Sequence, residues 1–242
     1  MLLALDLGNT NLKGALFSDI GRISRKRNVG ISGRISPAEI RKVFGCKGVD
    51  QVRLASVVPR LNLTIQRTLE QELGCRVKVL KYTDLPVKAE VRKPSEVGID
   101  RLLNVLAAAE FYPRPAVVLD CGTALTFDLV SREGNYAGGV IAPSPASGRD
   151  FLAEKTGLLP RIDLQTPVSV VGKSTVDCLK SGLVFGFADL ISGILVRLAR
   201  EWEPRFTVVG TGGGLPLLLP LLKEPVVFDA DLTLKGIFLS RL

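Results

Sequence analysis

The spacing of apolar residues predicts a mixed α/β fold for the first part of the chain. Strands are predicted by short apolar runs that are rich in β-branched residues or alternate at period two. These runs lie at 2–7, 12–17, 49–59 and 75–82. A basic strand or loop is predicted at 22–29. Apolar residues spaced by three and four predict helices at 36–45 and 62–74. Ser36, with Glu39 three residues later, favours the start of the first helix, and Gly74 favours the end of the second.

The rest of the chain repeats this order of elements. Strands are predicted within 116–131, which bends at a glycine, and at 136–144 and 205–211; short helices are predicted at 147–160 and 215–222. The longest helix is predicted from Ser174 to Trp202, because apolar residues recur along one of its faces.

The two parts also share a signature, Leu-Asp-x-Gly, at 5–8 and 119–122, each followed within two residues by a threonine. Four residues recur easily by chance, but the order of elements after them recurs as well. We therefore predict two similar halves, residues 1–114 and 115–242, with a cleft between them.

Composition narrows the class of protein. The 242 residues are 46% hydrophobic and 23% charged, as in an ordered globular protein. No apolar run approaches the roughly 20 residues that span a bilayer, and no basic segment precedes the first apolar residues, so we expect a cytoplasmic protein with no membrane partner. The four cysteines form no CxxC pair and are expected to be reduced; they are Cys46, Cys75, Cys121 and Cys178.

Charge and the lack of histidine exclude several kinds of function. With no histidine, the chain has no Ser-His-Asp or Cys-His catalytic site and no HExxH metal site, so proton transfer must use another side chain. The net charge of +8 comes partly from residues 22–47, where no aromatic residues interleave with the basic ones as single-strand binding would require. We interpret this excess as a solvated face or an attraction for anionic substrates, and expect no nucleic-acid partner.

The polar turn Asp6–Thr10 has two interpretations. It can be an ordinary type I′ hairpin turn, or a turn whose N–H groups and hydroxyls bind phosphate while Asp6 attracts the accompanying Mg²⁺. Lys13 could neutralise a transferred phosphoryl group. The matching turn at 120–123 favours phosphate binding.

Three other segments allow both a structural and a functional interpretation. The glycine run at 210–214 can contact a nucleotide or serve as a flexible connector. Asp100 can cap a helix or act as a general base, and Arg101 can be solvated or bind a carboxylate in bidentate geometry. Ser174 is sufficiently explained as a helix cap, with Asp177 three residues later.

Eight segments in order resemble the type III pantothenate kinases of the actin/Hsp70/sugar-kinase superfamily. They are DLGNTNLK (6–13), ASVVP (55–59), EVGIDR (96–101), DCGTALTFD (120–128), GGVIAP (138–143), GKSTVDCLKSG (172–182), GTGG (210–213) and DLTLKG (231–236). The resemblance implies an α/β fold of duplicated actin-like ATPase (ribonuclease H-like) domains, each a mixed five-stranded sheet with helices. It also implies a homodimer that phosphorylates the primary hydroxyl of pantothenate to give 4′-phosphopantothenate, the first step of coenzyme A synthesis, using ATP, Mg²⁺ and K⁺ or NH₄⁺.

The resemblance also implies roles for individual residues. ATP would be bound by Asp6, Gly8, Asn9, Thr10, Asn11, Lys13 and Thr123. Asp6 would also hold Mg²⁺, through water, and Asp120 would coordinate the monovalent cation. Pantothenate would be bound by Gly98, Ile99, Asp100, Arg101 and Thr175, with Asp100 as the general base and Arg101 facing the carboxylate.

Three positions depart from the family pattern. Ser95 stands where the family commonly has tyrosine, Ile99 replaces a usual alanine, and Leu125 replaces a usual threonine. None removes a charged group that the reaction requires. Two alternatives are another small-molecule kinase of the superfamily and a non-enzymatic regulator on this fold. Arg101 is suited to a carboxylate, which argues against a neutral sugar as substrate. The presence of Asp6, Asp100 and Asp120 argues for an enzyme.

Overall fold

Two compact units make up the structure, a computed structural model that describes residues 1–31, 36–44 and 48–240. The described residues of the first unit fall within Met1–Phe111, Gly134–Tyr136 and Asp231–Leu242. The second unit consists of Tyr112–Glu133 and Ala137–Ala230.

The first unit is built on a mixed five-stranded sheet. Its strands are β1 (Leu2–Leu7), β2 (Asn11–Phe17), β3 (Ile23–Gly30), β4 (Gln51–Ser56) and β5 (Val77–Val79). Their order is β3-β2-β1-β4-β5, with antiparallel pairing from β1 to β3 and parallel pairing of β4 with β1 and of β5 with β4. Strand β5 is shorter than the predicted 75–82, because a 3₁₀ turn at Tyr82–Asp84 follows it.

Three helices of this unit lie before its C-terminal segment. They are α1 (Pro37–Phe44), α2 (Pro59–Leu73) and α3 (Ile99–Phe111). The predicted capping box at Ser36 is confirmed: its hydroxyl accepts from the Glu39 N–H at 3.2 Å, and the Glu39 carboxylate accepts from the Ser36 N–H at 2.8 Å. Helix α2 ends as predicted at Gly74, whose φ of 65° is left-handed.

Helix α2 begins at Pro59, earlier than predicted. Proline suits the first turn of a helix because it lacks only an N–H that would have no helical partner there. Fully buried Ile65 and Leu69 of α2 belong to the same apolar core as Leu5 of β1 and Leu54 of β4.

The second unit is built on a mixed five-stranded sheet like that of the first unit. Its strands are β6 (Ala116–Cys121), β7 (Ala124–Val130), β8 (Tyr136–Pro143), β9 (Thr207–Thr211) and β10 (Val226–Phe228). The order is β10-β9-β6-β7-β8, with β7 antiparallel to β6 and β9 and β10 added in parallel. The predicted fold class, with two mixed five-stranded sheets, is confirmed.

The helices of the second unit are α4 (Pro145–Lys155), α5 (Thr175–Glu201) and α6 (Leu215–Leu218). Helix α4 begins earlier than the predicted 147, because the Ser144 hydroxyl caps it by accepting from the Ser147 N–H at 3.2 Å. Ser174 caps α5 as predicted, accepting from the Asp177 N–H at 3.2 Å.

By length and composition alone, α5 could cross a membrane, since an 18-residue window within it has a mean hydropathy of 1.8. The expectation of no membrane-spanning segment concerned uninterrupted apolar runs, and Lys180, Asp189 and Arg197 interrupt α5. Its residues Leu183, Val184, Ile191 and Leu195 are buried in the core of the second unit. This packing identifies α5 as a core helix, a type of helix that passes the same test.

The last helix, α7 (Leu232–Leu239), packs on α3 in the first unit. Gly236 meets the backbone of Leu103, and the Thr233 hydroxyl donates to Asn104 Oδ1 at 2.7 Å. At the end of α7, the buried guanidinium of Arg53 donates to the carbonyls of Phe238 and Ser240, at 2.7 and 2.6 Å. Helix α7 is thus fixed both to β4 and to α3.

Three described cysteines, Cys75, Cys121 and Cys178, are free thiols, as expected; Cys46 lies outside the described residues. Burial raises the pKa of the Cys121 thiol to about 12, so it stays protonated at neutral pH.

Candidate active site

The turn between β1 and β2 carries the residues that the sequence indicates for phosphate binding. The Gly8 N–H donates to the Asn11 carbonyl at 2.9 Å and closes the turn. Gly8, Asn9 and Thr10 all have negative φ, so the type I′ turn considered from the sequence is wrong, since that turn needs positive φ at its central residues. Asn9 and Thr10 are exposed and accessible to a ligand.

The sheet register places Asp6 beside Lys13. The two residues lie directly opposite each other in the antiparallel pair of β1 and β2. Their side chains therefore leave the sheet on one face, with Cβ atoms about 5 Å apart. One carboxylate and one ammonium group thus stand together at the base of the turn, which suits a metal–phosphate ligand.

The second turn, between β6 and β7, differs at the equivalent position. The Gly122 N–H donates to the Ala124 carbonyl at 2.9 Å, as in the first turn. Asp120, however, lies opposite Thr126 in the register, so its cross-strand neighbour carries a hydroxyl instead of an ammonium group. A carboxylate beside a hydroxyl offers oxygen ligands of the kind that metal ions bind.

The turn at Thr123 is anchored by two serines that the sequence reasoning missed. The hydroxyls of Ser144 and Ser147 both donate to the Thr123 carbonyl, the former at 3.0 Å. The start of α4 therefore fixes the backbone of the turn, while Thr123 itself is exposed. The sequence signal that could have indicated these serines is Ser144-Pro145, which is typical of the start of a helix.

The glycine run after β9 packs against the end of β6. The Gly214 N–H donates to the Cys121 carbonyl at 2.9 Å. Gly212 has a φ of 91°, and a Cβ there would lie 2.5 Å from Asp120 Oδ1. The run is therefore a fixed close approach of two backbones, and its interpretation as a flexible connector is wrong.

The start of α3 carries a half-buried carboxylate, that of Asp100. Asp100 lies inside the first turn of α3, and its carboxylate accepts from an N–H of that turn, which supports its interpretation as a residue that caps the helix. Its Oδ1 accepts from the Arg101 N–H at 2.9 Å and would lie 2.5 Å from a Cβ at position 98, a space that Gly98 leaves open. Burial raises the pKa of Asp100, although the hydrogen bond and charge of Arg101 act in the opposite direction.

Arg101 extends over an aromatic ring from another part of the first unit. Its Cζ lies 5.4 Å from the centroid of the Tyr136 ring. Tyr136 is almost fully buried, and no residue near it in the sequence indicated a site. The structure thus joins Gly98, Asp100 and Arg101 in one place and adds Tyr136 to them.

Thr175 lies apart from that group in the chain, as the exposed first residue of α5 in the second unit.

Of the three departures from the family pattern, Leu125 is fully buried in the core of the second unit. Ser95 is exposed in a 3₁₀ turn at Pro94–Glu96, and Ile99 is half-buried at the start of α3. Leu125 is therefore a packing residue.

The described residues contain no group of three acidic or cysteine side chains that would form a metal cage. Mg²⁺ in phosphate-binding enzymes commonly takes one or two carboxylates and completes its shell with water and phosphate oxygens. Asp6, at the base of a turn with exposed polar residues, fits this mode of binding.

Comparison with known proteins agrees with this geometry. A family model described as type III pantothenate kinase matches residues 2–197. The type III pantothenate kinase of Rhodospirillum centenum is 38% identical, covering 98% of this chain and 96% of its own. That of Thermus thermophilus is 39% identical, covering 98% and 97%. A solved ROK family glucokinase from Streptomyces griseus, 13% identical, has the same fold, with a TM-score of 0.56 over 98% of this chain and 97% of its own.

Proposed function

The chain belongs to the type III pantothenate kinases, ATP-using kinases that act on an alcohol group, and from this membership we propose that it transfers the γ-phosphoryl group of ATP to the primary hydroxyl of pantothenate. The product is 4′-phosphopantothenate, the first intermediate on the route to coenzyme A. The observation that carries the proposal is that the first turn of α3 places a desolvated carboxylate, that of Asp100, next to Arg101.

Asp100 is the general base of the proposed reaction. It accepts the proton of the attacking hydroxyl as the oxygen bonds to phosphorus and ADP leaves. Its burial supports this role, since a raised pKa makes the carboxylate a stronger base than an exposed aspartate. Gly98 supports it as well, because any side chain there would displace the carboxylate.

Arg101 binds the carboxylate at the other end of pantothenate. A guanidinium offers parallel N–H donors that match a carboxylate in bidentate geometry. Gly98 and Ile99, which precede Asp100 in the chain, are assigned to pantothenate binding with it, and the family resemblance assigns Thr175 as well. A substrate held at its carboxylate keeps its hydroxyl at a fixed distance from Asp100, which reduces the entropy cost of reaction.

The turn Gly8–Asn11 holds the phosphates of ATP. The exposed residues Asn9 and Thr10, with Asp6 and Lys13 at the base of the turn, support this assignment. Bound Mg²⁺ would be held at Asp6 through water and would neutralise phosphate charge. Lys13 stabilises the charge that develops on the transferred group.

Asp120 binds the activating K⁺ or NH₄⁺, and Thr123 contacts ATP. The hydroxyl of Thr126 opposite Asp120 and the fixed Gly212 backbone beside it support an oxygen-lined cation site. The two serines that hold the Thr123 carbonyl keep this turn rigid.

We also propose that the enzyme is a cytoplasmic homodimer. Four apolar residues of the second unit support a partner surface, because they are 61–106% exposed: Leu158, Val168, Val170 and Val171. Analytical ultracentrifugation tests this, and a monomer at micromolar concentration would contradict it.

The activity itself is tested by ADP release from ATP, Mg²⁺ and pantothenate in potassium buffer. We expect turnover that depends on pantothenate. Turnover with neutral sugars but not with pantothenate would assign the chain to another branch of the superfamily, and no turnover with either would refute the kinase proposal.

A further inference from the structure

A buried tyrosine lies against the guanidinium that binds the substrate carboxylate in the proposed function. Arg101 Cζ is 5.4 Å from the centroid of the Tyr136 ring, within the range of a cation–π contact. Tyr136 is only 3% exposed, so little water competes with this contact. Both residues belong to the first unit, which includes Tyr136 although this residue is the first of strand β8.

The backbone of Tyr136 is fixed on both sides. Its N–H donates to the Lys88 carbonyl at 2.9 Å, and its carbonyl accepts from the Glu90 N–H at 2.8 Å, which makes a parallel bridge with Ala89. The neighbouring Asn135 adds a side-chain bond, from its Nδ2 to Glu90 Oε1 at 2.7 Å. The ring therefore has a fixed position relative to its surroundings.

A fixed ring reduces the conformational entropy that the Arg101 side chain loses when it binds a carboxylate. A free arginine side chain has about 2 kcal/mol of rotamer entropy, and it loses much of that when it binds a carboxylate in one plane. A ring that already holds the guanidinium removes part of this loss before substrate arrives. The resulting gain in binding free energy applies only to a ligand that binds the guanidinium.

We propose that Tyr136 is a positioning residue that holds Arg101 for the substrate carboxylate, and that it thereby sets the preference of the enzyme for the acid over a neutral analogue. The inference rests on the proposed pantothenate kinase activity. Tyr136 acts through Arg101 and takes no part in proton or phosphoryl transfer.

The test compares two substrates in the full-length enzyme: pantothenate, and pantothenol, in which a hydroxymethyl group replaces the carboxylate. For Tyr136→Leu we expect KM for pantothenate to rise about tenfold, while KM for pantothenol and for ATP changes less than about twofold. Tyr136→Phe, which keeps the ring, should restore KM for pantothenate.

Phe111→Leu is the matched control. Lys235 Nζ lies 5.6 Å from the centroid of the Phe111 ring, so this change removes a second cation–π contact of the first unit, at the far end of α3. It should leave both KM values unchanged.

If Tyr136→Leu fails to fold, fluorinated phenylalanines at position 136 replace it, because they weaken the electrostatic attraction of the ring at nearly constant size. KM for pantothenate should then rise with each added fluorine. Equal losses with both substrates, or no dependence on the ring, would overturn the role of Tyr136 while leaving the proposed activity intact. A wild-type enzyme that does not phosphorylate pantothenate would overturn both.

Discussion

Replacing Gly236 by alanine should weaken both the fold and the binding of pantothenate. Helix α7 meets α3 at this glycine, where an added Cβ would lie 2.6 Å from the carbonyl carbon of Leu103 and closer still to its oxygen. The neighbouring atoms are backbone, so the methyl group can be accommodated only if one helix moves. Helix α3 carries Asp100 and Arg101 in its first turn, and a shift of α3 would move both residues.

The size of the effect follows from two opposing contributions. Inserting a methyl group into a close-packed contact costs about 1–3 kcal/mol. Replacing a helical glycine by alanine returns roughly 0.5–1 kcal/mol. Because the atoms that the methyl group would meet are backbone and cannot rotate away, the cost lies in the upper part of that range, about 2–3 kcal/mol. The net loss of about 1–2.5 kcal/mol should lower Tm by roughly 2–10 °C in a protein of this size.

The assay combines thermal unfolding with KM for each substrate. We expect KM for pantothenate to rise and KM for ATP to change little, because α7 stacks on β2 through Phe238 and Phe17, at the end of β2 opposite the proposed phosphate-binding turn. Gly193→Ala in α5 is the control, since a Cβ there meets nothing within 4 Å and should raise Tm slightly. If Gly236→Ala melts at or above the wild-type temperature, the account of the α3–α7 contact is incorrect.

Two further predictions concern the carboxylates. Because burial raises the pKa of Asp100, kcat/KM should fall as pH decreases through a value above the usual aspartate pKa of about 4, as the base becomes protonated; an acid limb at or below that value would argue against Asp100. Asp120→Asn should remove most of the difference in kcat between potassium and sodium buffers, with ATP still bound, whereas an unchanged ratio would place the monovalent cation elsewhere.

Much of the fold could be predicted from the sequence because its signals are local. The apolar run of β1 and the glycine that ends α2 each depend on a few neighbouring residues, and the structure confirms both. The predicted start of α2 is wrong because Pro59, which begins this helix, is also compatible with the end of the preceding strand.

The site could be predicted only in part. Asp6 and Asp100 stand out because acids interrupt or begin apolar elements. Tyr136 could not be found in this way, because the residues that hold it, Lys88 and Glu90, are distant in the chain. The same holds for Gly212, whose role depends on the end of β6. These contacts come from chain pairing that local patterns do not encode.

The most direct test of the central claim is mass spectrometry of pantothenate after incubation with ATP, Mg²⁺ and either the wild-type enzyme or Asp100→Asn, with ATP binding measured in parallel. The account predicts that the wild type adds one phosphoryl group at the primary hydroxyl and that Asp100→Asn binds ATP but forms product at least about 100-fold more slowly. Product formation at a near-normal rate by Asp100→Asn would contradict it.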